Sequence, residues 1–556
     1  MMTSELFRMD PLAQFVGLFV ALFTVLILLY SIGYNRGRGY GARYYVYLLL
    51  TFICGELVVF ADNFVLFLSL WGLLALLLFL LIGIERREAA AAAAKKAFVI
   101  IGATDALMIL GFGLWLHNHA DLLWWEATLS GFRMEAVGAT GILTFLCFLS
   151  AALAKAGAMP VHTWVPDTAE GAAIPVTAYL PGSLDKLFGI YFLARLVLQM
   201  FVLPAWMFTL LMALGGLTVV AAVMMALVQH DVRRLLGYHA VSQVGYMVLG
   251  LGTGTVLGAA GGLFHMLNNA VYKSCLFLCG GAVEERTGTG DLDRLGGLAG
   301  RLPWTFAAFA VAALAISGIP PLNGFASKWM VYQGILESGR QGQASWFIWL
   351  AAAMLGTALT LASFMKLMHA VFLGRSALPE EKLATIKEVS WWMRFPPLFL
   401  AVLCVVFGIL PATIPLGLWI APSLAAPLEP LGVWSPGIAT VLLLGAGAVG
   451  LLIYALAAFP RLREVEPFVG GEILRQFPEM RVSGVDFYRT VRLLPFLHRM
   501  YGAAEKGWFD LYELGKRLVL GVSRLLGEGH NGLLPRYVTW CLVGVLVVLL
   551  YLRSSP

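Results

Sequence analysis

Charged residues are scarce in this sequence. Asp, Glu, Lys and Arg make up only 13% of the 556 residues, whereas hydrophobic residues make up 60%. Soluble domains carry about 25% charged and about 45–50% apolar residues, so this composition excludes a soluble globular domain. Because most of the surface must contact lipid, we predict an all-α polytopic membrane protein.

Cysteine is also rare, and its placement argues against a metal centre. All six cysteines fall in hydrophobic runs, and only Cys275 and Cys279 are close in sequence, without companion ligands. A disulfide framework, a zinc site and an iron-sulfur site are therefore disfavoured. The glycine-rich stretch near 287–293 follows no predicted strand, so it matches neither a P-loop nor a dinucleotide fingerprint. We expect no cofactor, no metal and no nucleic-acid partner.

Long hydrophobic runs are abundant instead, and we identify fourteen that could cross a bilayer. They lie near 13–33, 44–61, 64–83, 97–116, 139–158, 178–200, 205–228, 237–254, 256–282, 305–335, 346–373, 395–413, 437–459 and 536–553. The N-terminus lacks a basic segment followed by a cleavage site, so we expect the first run to be a retained helix rather than a signal peptide.

Basic residues favour alternate connections between these runs. They cluster within 36–43, 86–96, 233–234, 286–301, 375–387 and 460–535. The opposite connections hold only isolated residues such as Arg133 and Arg340. By the positive-inside rule the basic connections are cytoplasmic and both termini lie outside. We therefore predict a multi-pass protein of a bacterial or archaeal inner (plasma) membrane.

Two of the runs contain helix-breaking sequence, Gly157-Ala-Met-Pro160 and Gly318-Ile-Pro-Pro321. Each break belongs to the fourth helix of a five-helix group, 44–200 or 205–373. Since five is odd, the second group enters the membrane from the opposite side. This pattern predicts two inverted repeats, each with a broken helix near which an ion site could lie. Two ordinary proline kinks are the alternative.

Four further segments complete the predicted organisation: an N-terminal helix and loop at 1–43, two helices at 395–459, a polar segment at 460–535 and a final helix at 536–556. Within the polar segment, apolar residues recur at three- and four-residue spacing, at Leu511, Leu514, Leu518, Val522 and Leu525. This spacing predicts an amphipathic helix. It could lie along the cytoplasmic membrane surface or dock on a partner subunit.

Titratable residues inside the predicted spans are the candidate functional site. They are Glu56, Asp105, Lys155, Asp185, Lys186, His239, His265, Lys273 and Lys328. An Asp or Lys at the centre of a membrane helix costs roughly 2.5–3.5 kcal/mol, so these groups must face one another or water. Alternating acids, lysines and histidines can pass protons, which predicts a relay. For Lys366 and Arg195, reaching the membrane surface is an equally good interpretation.

Four stretches carry a resemblance to a known family. They are AKAGAMPVHTWVPDTAEG at 154–171, HDVRRLLGYHAVSQVGYM at 230–247, GLFHMLNNAVYKSCLFL at 262–278 and SGIPPLNGFASKWM at 317–330. The chain resembles the antiporter-like proton-translocating membrane subunits of complex I, Mrp antiporters and energy-converting nickel-iron hydrogenases. The segments PGSLDKLFGIYFLAR at 181–195 and RVSGVDFY at 481–488 resemble the hydrogenase and formate hydrogenlyase branch most.

The resemblance implies roles for individual residues. Lys155 and Lys328 match the lysines beside the two breaks, Lys186 falls near the relay position of the next helix with Asp185 beside it, and His265 and Lys273 match the central relay. The family typically has a glutamate directly after a tryptophan, and this chain has Gly72 at that position. At the position of a second relay histidine, it has Asn269. We expect Glu56, in the preceding helix, to replace the missing glutamate beside Lys155.

The resemblance implies a proton-translocating subunit that works with other membrane subunits and a peripheral redox arm. Such a chain holds no redox centre itself and would be the translocase subunit of an oxidoreductase complex. Three alternatives remain open: the membrane subunit of an inorganic-carbon uptake complex, a cation/proton antiporter subunit, and a membrane scaffold that does not pump.

The charge pattern makes a prediction about orientation. Single cysteines placed in the connections 84–96 and 284–303, in a background without native cysteines, should react with impermeant reagents only from the cytoplasmic side. Labelling from the outer side would contradict the topology and the inverted repeat together.

Overall fold

The computed structural model describes residues 6–119, 123–376, 378–424, 426–429, 436–456, 484–530 and 532–554. The chain divides into two compact units, Met1–Leu497 and His498–Pro556. Helices dominate the described ranges of both units. The strands in these ranges are β1 (Met134–Glu135) and β2 (Phe201–Val202), which pair in parallel with Met134 opposite Phe201.

The first unit begins with a single helix and the first five-helix group. The helices are α1 (Pro11–Tyr34), α2 (Gly41–Phe60), α3 (Phe64–Ile82), α4 (Glu88–His117), α5 (Gly138–Ala156), α6 (Trp164–Gly171), α7 (Ile174–Tyr179) and α8 (Asp185–Arg195). A π-helical turn, Leu180–Leu184, joins α7 to α8, and another, Leu196–Met200, follows α8. Continuous Leu, Val, Ala and Phe runs form helices here because a helix satisfies its backbone hydrogen bonds internally.

The second group and the remaining helices follow in chain order. They are α9 (Ala205–Leu227), α10 (Val232–Gly252), α11 (Val256–Thr287), α12 (Pro303–Ser317), α13 (Asn323–Arg340), α14 (Trp346–Met368), α15 (Glu380–Thr385), α16 (Trp391–Ile409), α17 (Ala421–Leu424), α18 (Pro436–Leu456), α19 (Arg489–Leu493), α20 (Pro495–Glu505), α21 (Leu511–Gly529) and α22 (Leu534–Ser554). π-helical turns at His369–Leu373 and Ala412–Ile420 follow α14 and α16. Short 3-10 helices lie at Gly83–Glu85 and Gly484–Tyr488.

All fourteen predicted hydrophobic runs overlap a helix or a pair of helices. Ten helices in the described ranges are long and apolar enough to cross a membrane. Two of the other predicted runs, 178–200 and 305–335, are interrupted by segments that are not α-helical. The remaining two, 237–254 and 256–282, contain buried polar side chains such as His239, His265 and Lys273. The multi-pass helical fold is confirmed, whereas fourteen crossings remain a prediction.

The two predicted breaks have the same local geometry. Gly157 ends α5 at φ +78° and Gly318 ends α12 at φ +78°. At each break the glycine N–H donates to carbonyls of the last helical turn, and the αL conformation costs glycine little because it has no Cβ. The chain then continues into α6 or α13. Both breaks therefore leave a helix C-terminus inside the bundle.

The first five connections predicted to be cytoplasmic, from 36–43 to 375–387, meet at one end of the first unit, which we call the basic end. The contacts that define it are Arg38 with Glu285, Tyr40 with Glu85, His230 with Asp293, and Arg286 with the Glu388 carbonyl. Contacts of the opposite end include the β1–β2 pair and Gln343 with Thr209. Thus α2 begins at the basic end and α9 begins at the opposite end, which supports the predicted inversion. The exact repeat boundaries remain a prediction.

Aromatic side chains form much of the core of the first group. The ring centroids of Phe64 and Phe112 lie 4.4 Å apart and the rings are nearly parallel. Phe67 packs on Trp71 at 5.3 Å, and Phe192 of α8 packs on Trp71 at 5.4 Å. Such contacts fix the orientation of a large side chain, and they hold the indole of Trp71 inside the bundle.

The second unit contains the predicted amphipathic helix. Asp510 begins α21 by accepting a hydrogen bond from the Tyr512 N–H at 3.0 Å. Leu518, Val522 and Leu525 of its apolar face are all exposed within this chain. Residues 460–483 of the predicted polar segment lie outside the described residues. The expectation that α21 lies on the cytoplasmic surface remains a prediction.

The side chain of Arg195 is buried inside the chain, and its position relative to the membrane surface remains a prediction. Its guanidinium is buried and forms an ion pair with Asp10, with the Nη2 to Oδ1 distance at 2.8 Å. Nη2 also donates to the Tyr191 hydroxyl at 2.9 Å. Asp10 in turn caps α1 by accepting from the Ala13 N–H. This pair joins the start of α1 to the end of α8.

Arg195→Ala should destabilise the protein, because it leaves the Asp10 carboxylate buried without its cation. The expected loss is about 3–5 kcal/mol, measured as a lower Tm of the purified protein in detergent. Arg8→Ala is the matched control, since Arg8 is 3.9 Å from the same carboxylate and 48% exposed. An equal Tm for both variants would contradict the role of the buried pair.

Candidate functional site

The first part of the candidate site surrounds Lys155 in the last turn of α5. Its Nζ lies 5.3 Å from the centre of the Trp71 ring. The Trp71 indole N–H donates to Asp105 Oδ1 at 2.9 Å, and the charges of Asp105 and Lys155 interact. All three side chains are buried. Helices α3, α4 and α5 thus bring a carboxylate and an ammonium next to the same indole.

Glu56 does not occupy the place beside Lys155 that the sequence suggested. Cys54, two residues earlier, faces Lys155 closely enough to interact with its charge. Residues two apart on a helix point in nearly opposite directions, because each residue turns the helix by about 100°. Glu56 therefore faces α1, where a Cβ on Gly17 would approach its Oε2 to 2.8 Å. Among the carboxylates of α2, α3 and α4, the one that interacts with Lys155 is Asp105.

The glycine at the family's glutamate position also faces away from Lys155. Gly72 is exposed, and an added Cβ would have no heavy atom within 4 Å. Trp71, the preceding residue, points inward. A longer side chain at Gly72 would start on the outer surface of α3, so the substitution at this position does not leave a gap beside the lysine.

Asp185 and Lys186 form the next part of the site at the start of α8. The Asp185 carboxylate interacts with the charges of both Lys155 and Lys186. The Lys186 Nζ lies 5.8 Å from the Trp164 ring centre, and a Cβ on Gly157 would lie 3.1 Å from this nitrogen. The Nζ atoms of both lysines are buried without a hydrogen-bond partner among the described residues. The break after α5 therefore makes room for the second lysine.

Lys273 of α11 lies at the junction of the two groups. Its Nζ donates to the Leu236 carbonyl at 3.3 Å and lies 5.6 Å from the Phe364 ring centre. Its charge interacts with Lys186 of the first group and Lys328 of the second. A charge on Lys273 out of water is therefore opposed by a charge on either of the other two ammonium groups, which links the protonation of Lys273 to theirs.

His239 of α10 lies beside this junction. Its Nε2 and the Ser363 hydroxyl are 2.7 Å apart, and its Nδ1 is buried with no hydrogen-bond partner among the residues described. The charges of Lys273, Lys328 and Lys366 all interact with the imidazole. This histidine is therefore within electrostatic reach of three lysines.

Lys328 and His265 form the part of the site next to the second break. The Lys328 Nζ donates to the Ile316 carbonyl at 2.8 Å, near the C-terminus of α12, and lies 4.8 Å from the Tyr246 ring centre. Free carbonyls and negative helix dipoles at such ends stabilise a cation. The His265 ring contacts the Ser327 hydroxyl at 3.0 Å and the Gln243 Oε1 at 3.1 Å, and interacts with the Lys328 charge.

Charge interactions, supported by the hydrogen bonds and ring contacts above, link all predicted site residues except Glu56. The chain of groups runs from Asp105 through Lys155, Asp185, Lys186, Lys273 and His239 to Lys328 and His265. Sequence reasoning missed the neutral members Ser363, Gln243 and Ser327 and gave no role to Trp71, although the resemblance had drawn attention to the tryptophan before Gly72. Asn269, at the second histidine position, is fully buried. Within the described ranges, no three His, Cys, Asp or Glu residues are placed to hold a metal ion.

Comparison with known proteins assigns these elements to a family. Residues 61–360, which contain most of the site, match the family described as NADH:quinone oxidoreductase/Mrp antiporter, transmembrane. The chain belongs to this NADH:quinone oxidoreductase/Mrp antiporter family. The resemblance found in the sequence is thereby confirmed.

Individual members of the NADH:quinone oxidoreductase/Mrp antiporter family show the range of its assemblies. The chain is 32% identical to hydrogenase-4 component B of Escherichia coli over 75% of this chain and 63% of that protein. It is 29% identical to Na(+)/H(+) antiporter subunit A1 of Staphylococcus haemolyticus over 72% of this chain and 52% of that protein. It therefore spans about half to two thirds of these curated relatives.

A solved structure supports the fold over almost the whole chain. A chain of the archaeal membrane-bound sulfane sulfur reductase, a respiratory membrane complex, superposes with a TM-score of 0.80 at 23% sequence identity. The superposition covers 98% of this chain and 89% of that one. The likeness concerns the fold, and the arrangement of the buried charges in this chain comes from its own residues.

Proposed function

We propose that this chain is a proton-translocating subunit of a larger complex in an inner (plasma) membrane. Other membrane subunits would adjoin it, and redox chemistry in a peripheral arm would supply the free energy. The observation that carries the proposal is the row of buried titratable groups from Asp105 to Lys328, in which each group interacts with the charge of the next. The names of its relatives, a hydrogenase component and an antiporter subunit, agree with this assignment.

This row of titratable groups is suited to proton transfer because each member can take up and release a proton. Lys155 has a carboxylate on either side, Asp105 and Asp185, and no hydrogen bond that fixes its ammonium among the described residues. A proton on this lysine can therefore be exchanged with the group on either side. Because charges out of water interact strongly, a proton arriving at one site changes the affinity of the next.

The lysines beside the two breaks provide a direct test. Lys155→Ala and Lys328→Ala should each reduce proton transport by at least tenfold, because each removes a proton carrier for which no neighbouring lysine can substitute. Transport would be measured with a pH-sensitive dye inside liposomes that contain the complex purified with this chain. Partner redox activity should persist in part, and normal transport by both variants would contradict the relay.

The acid beside Lys155 can be tested separately. Asp105→Asn should reduce transport strongly, because it removes the carboxylate that the Trp71 indole holds near the ammonium. Glu56→Gln is the matched control and should have a smaller effect, since Glu56 faces α1. Adding Gly72→Glu to Asp105→Asn should not restore transport, because that side chain starts on the outer surface. Restoration, or a larger loss from Glu56→Gln, would contradict the assignment of Asp105.

A cation/proton antiporter subunit is the second candidate. It is favoured by the similarity to Na(+)/H(+) antiporter subunit A1. Radioactive sodium flux through the same liposomes distinguishes the two: proton transport that needs a sodium gradient supports antiport, whereas proton transport driven by electron transfer without sodium supports the first proposal.

A further inference from the structure

Lys366 lies in the last turn of α14, near the basic end, and the row of groups described above does not use it. Its side chain is 5% exposed. The Nζ donates to the carbonyls of Leu227 at 2.8 Å and Gln229 at 3.0 Å, where α9 ends. The ammonium therefore sits just inside the bundle, at the C-terminal end of a helix.

Two carboxylates face Lys366 from the basic end. The charges of Asp293, in the connection after α11, and Asp486, in the 3-10 helix Gly484–Tyr488, both interact with it. The Tyr488 hydroxyl donates to the Ala362 carbonyl of α14 at 3.0 Å, and Val485 is buried. The 3-10 helix Gly484–Tyr488 is thus bound against α14, and it brings the half-buried Asp486 next to the lysine.

On the side away from the basic end, Ser363 and His239 connect Lys366 to the junction of the two five-helix groups. Ser363 precedes it by three residues, so the two side chains lie on the same face of α14, about one turn or 5 Å apart along the axis. The Ser363 hydroxyl contacts the Nε2 of His239 at 2.7 Å, and the His239 Nδ1 has no hydrogen-bond partner among the described residues. His239 interacts with Lys366 on one side and Lys273 on the other.

We propose that Lys366 takes up protons at the basic end and passes them through Ser363 and His239 to Lys273. In this step a proton leaves the Lys366 Nζ and joins the Ser363 oxygen, and the serine's own hydrogen moves to the His239 Nε2. The hydrogen on the His239 Nδ1 then moves to a neutral Lys273. The imidazole ends as the other tautomer, and Asp293 or Asp486 returns a proton to Lys366. This inference rests on the proposed function and adds an entry route to it.

If Lys366 had only a structural role, a different result would be expected. Its two hydrogen bonds to the end of α9 could simply hold α9 and α14 together. Arginine keeps the positive charge and the donors for those carbonyls but does not release its proton in proteins. Lys366→Arg therefore preserves the structural role and removes the proton transfer.

The decisive experiment measures proton uptake by the purified complex in liposomes for two variants and their controls. Lys366→Arg and Ser363→Ala should each reduce uptake at least tenfold while the complex still assembles. Lys382→Arg, in the exposed α15, and Thr360→Val, whose buried hydroxyl donates to the Gly356 carbonyl of its own helix at 2.7 Å, should leave uptake within twofold of the parent.

The outcomes separate the entry route from the proposed function. If Lys366→Arg and Ser363→Ala take up protons normally while Lys155→Ala and Lys328→Ala do not, the entry route is wrong and the relay stands. If Lys366→Arg alone is normal, Lys366 has only a structural role and the entry route is again wrong. If the parent complex moves no protons, or if all four variants transport normally, the proposed function fails as well.

Discussion

Removing a charged side chain from water costs several kcal/mol, and the other features of this protein depend on how that cost is met. Ionised groups inside the bundle are stable only next to opposite charges, aromatic faces or unpaired carbonyls. Lys155 lies beside an indole and between two carboxylates, and Lys328 lies on the last carbonyls of α12 and on the Tyr246 ring. The same placement that makes these charges tolerable also brings them close enough to influence one another.

The broken helices are part of this arrangement. An uninterrupted helix has its free carbonyls at the membrane surface, whereas α5 and α12 end inside the bundle at glycines in the αL conformation. This puts negative helix ends and small residues where lysines must be accommodated. Gly157 leaves space for the Lys186 ammonium, and the end of α12 binds that of Lys328. The breaks therefore accommodate buried lysines in addition to bending the helices.

The same requirement bears on Gly72, the position at which the resemblance implies a glutamate. Lys155 has a carboxylate nearby even so, because Asp105 of α4 accepts a hydrogen bond from the Trp71 indole and interacts with the lysine's charge. What the lysine requires is an acceptor of suitable charge within reach, and more than one helix can supply it. Lys366 illustrates the same requirement at the basic end, where the acids come from a connection and from the C-terminal segment.

The sequence by itself determined the features that depend on local composition. Scarce charge and long apolar runs predicted a helical membrane protein, two glycine-proline stretches located the breaks, and an apolar stripe located α21. Isolated charges in apolar runs indicated the candidate site residues, because an unpaired charge in lipid is too costly to be accidental. These signals are local, and helices in lipid form without long-range contacts.

Only the tertiary structure decided which charged group faces which. The direction of a side chain depends on the rotation of its helix about its own axis, and packing against other helices sets that rotation. This is why Cys54 faces Lys155 while Glu56 faces α1, and why Gly72 points outward beside the inward Trp71. It is also why neutral partners such as Ser363 could not be found in the sequence, since nothing local distinguishes a serine that meets a histidine of another helix.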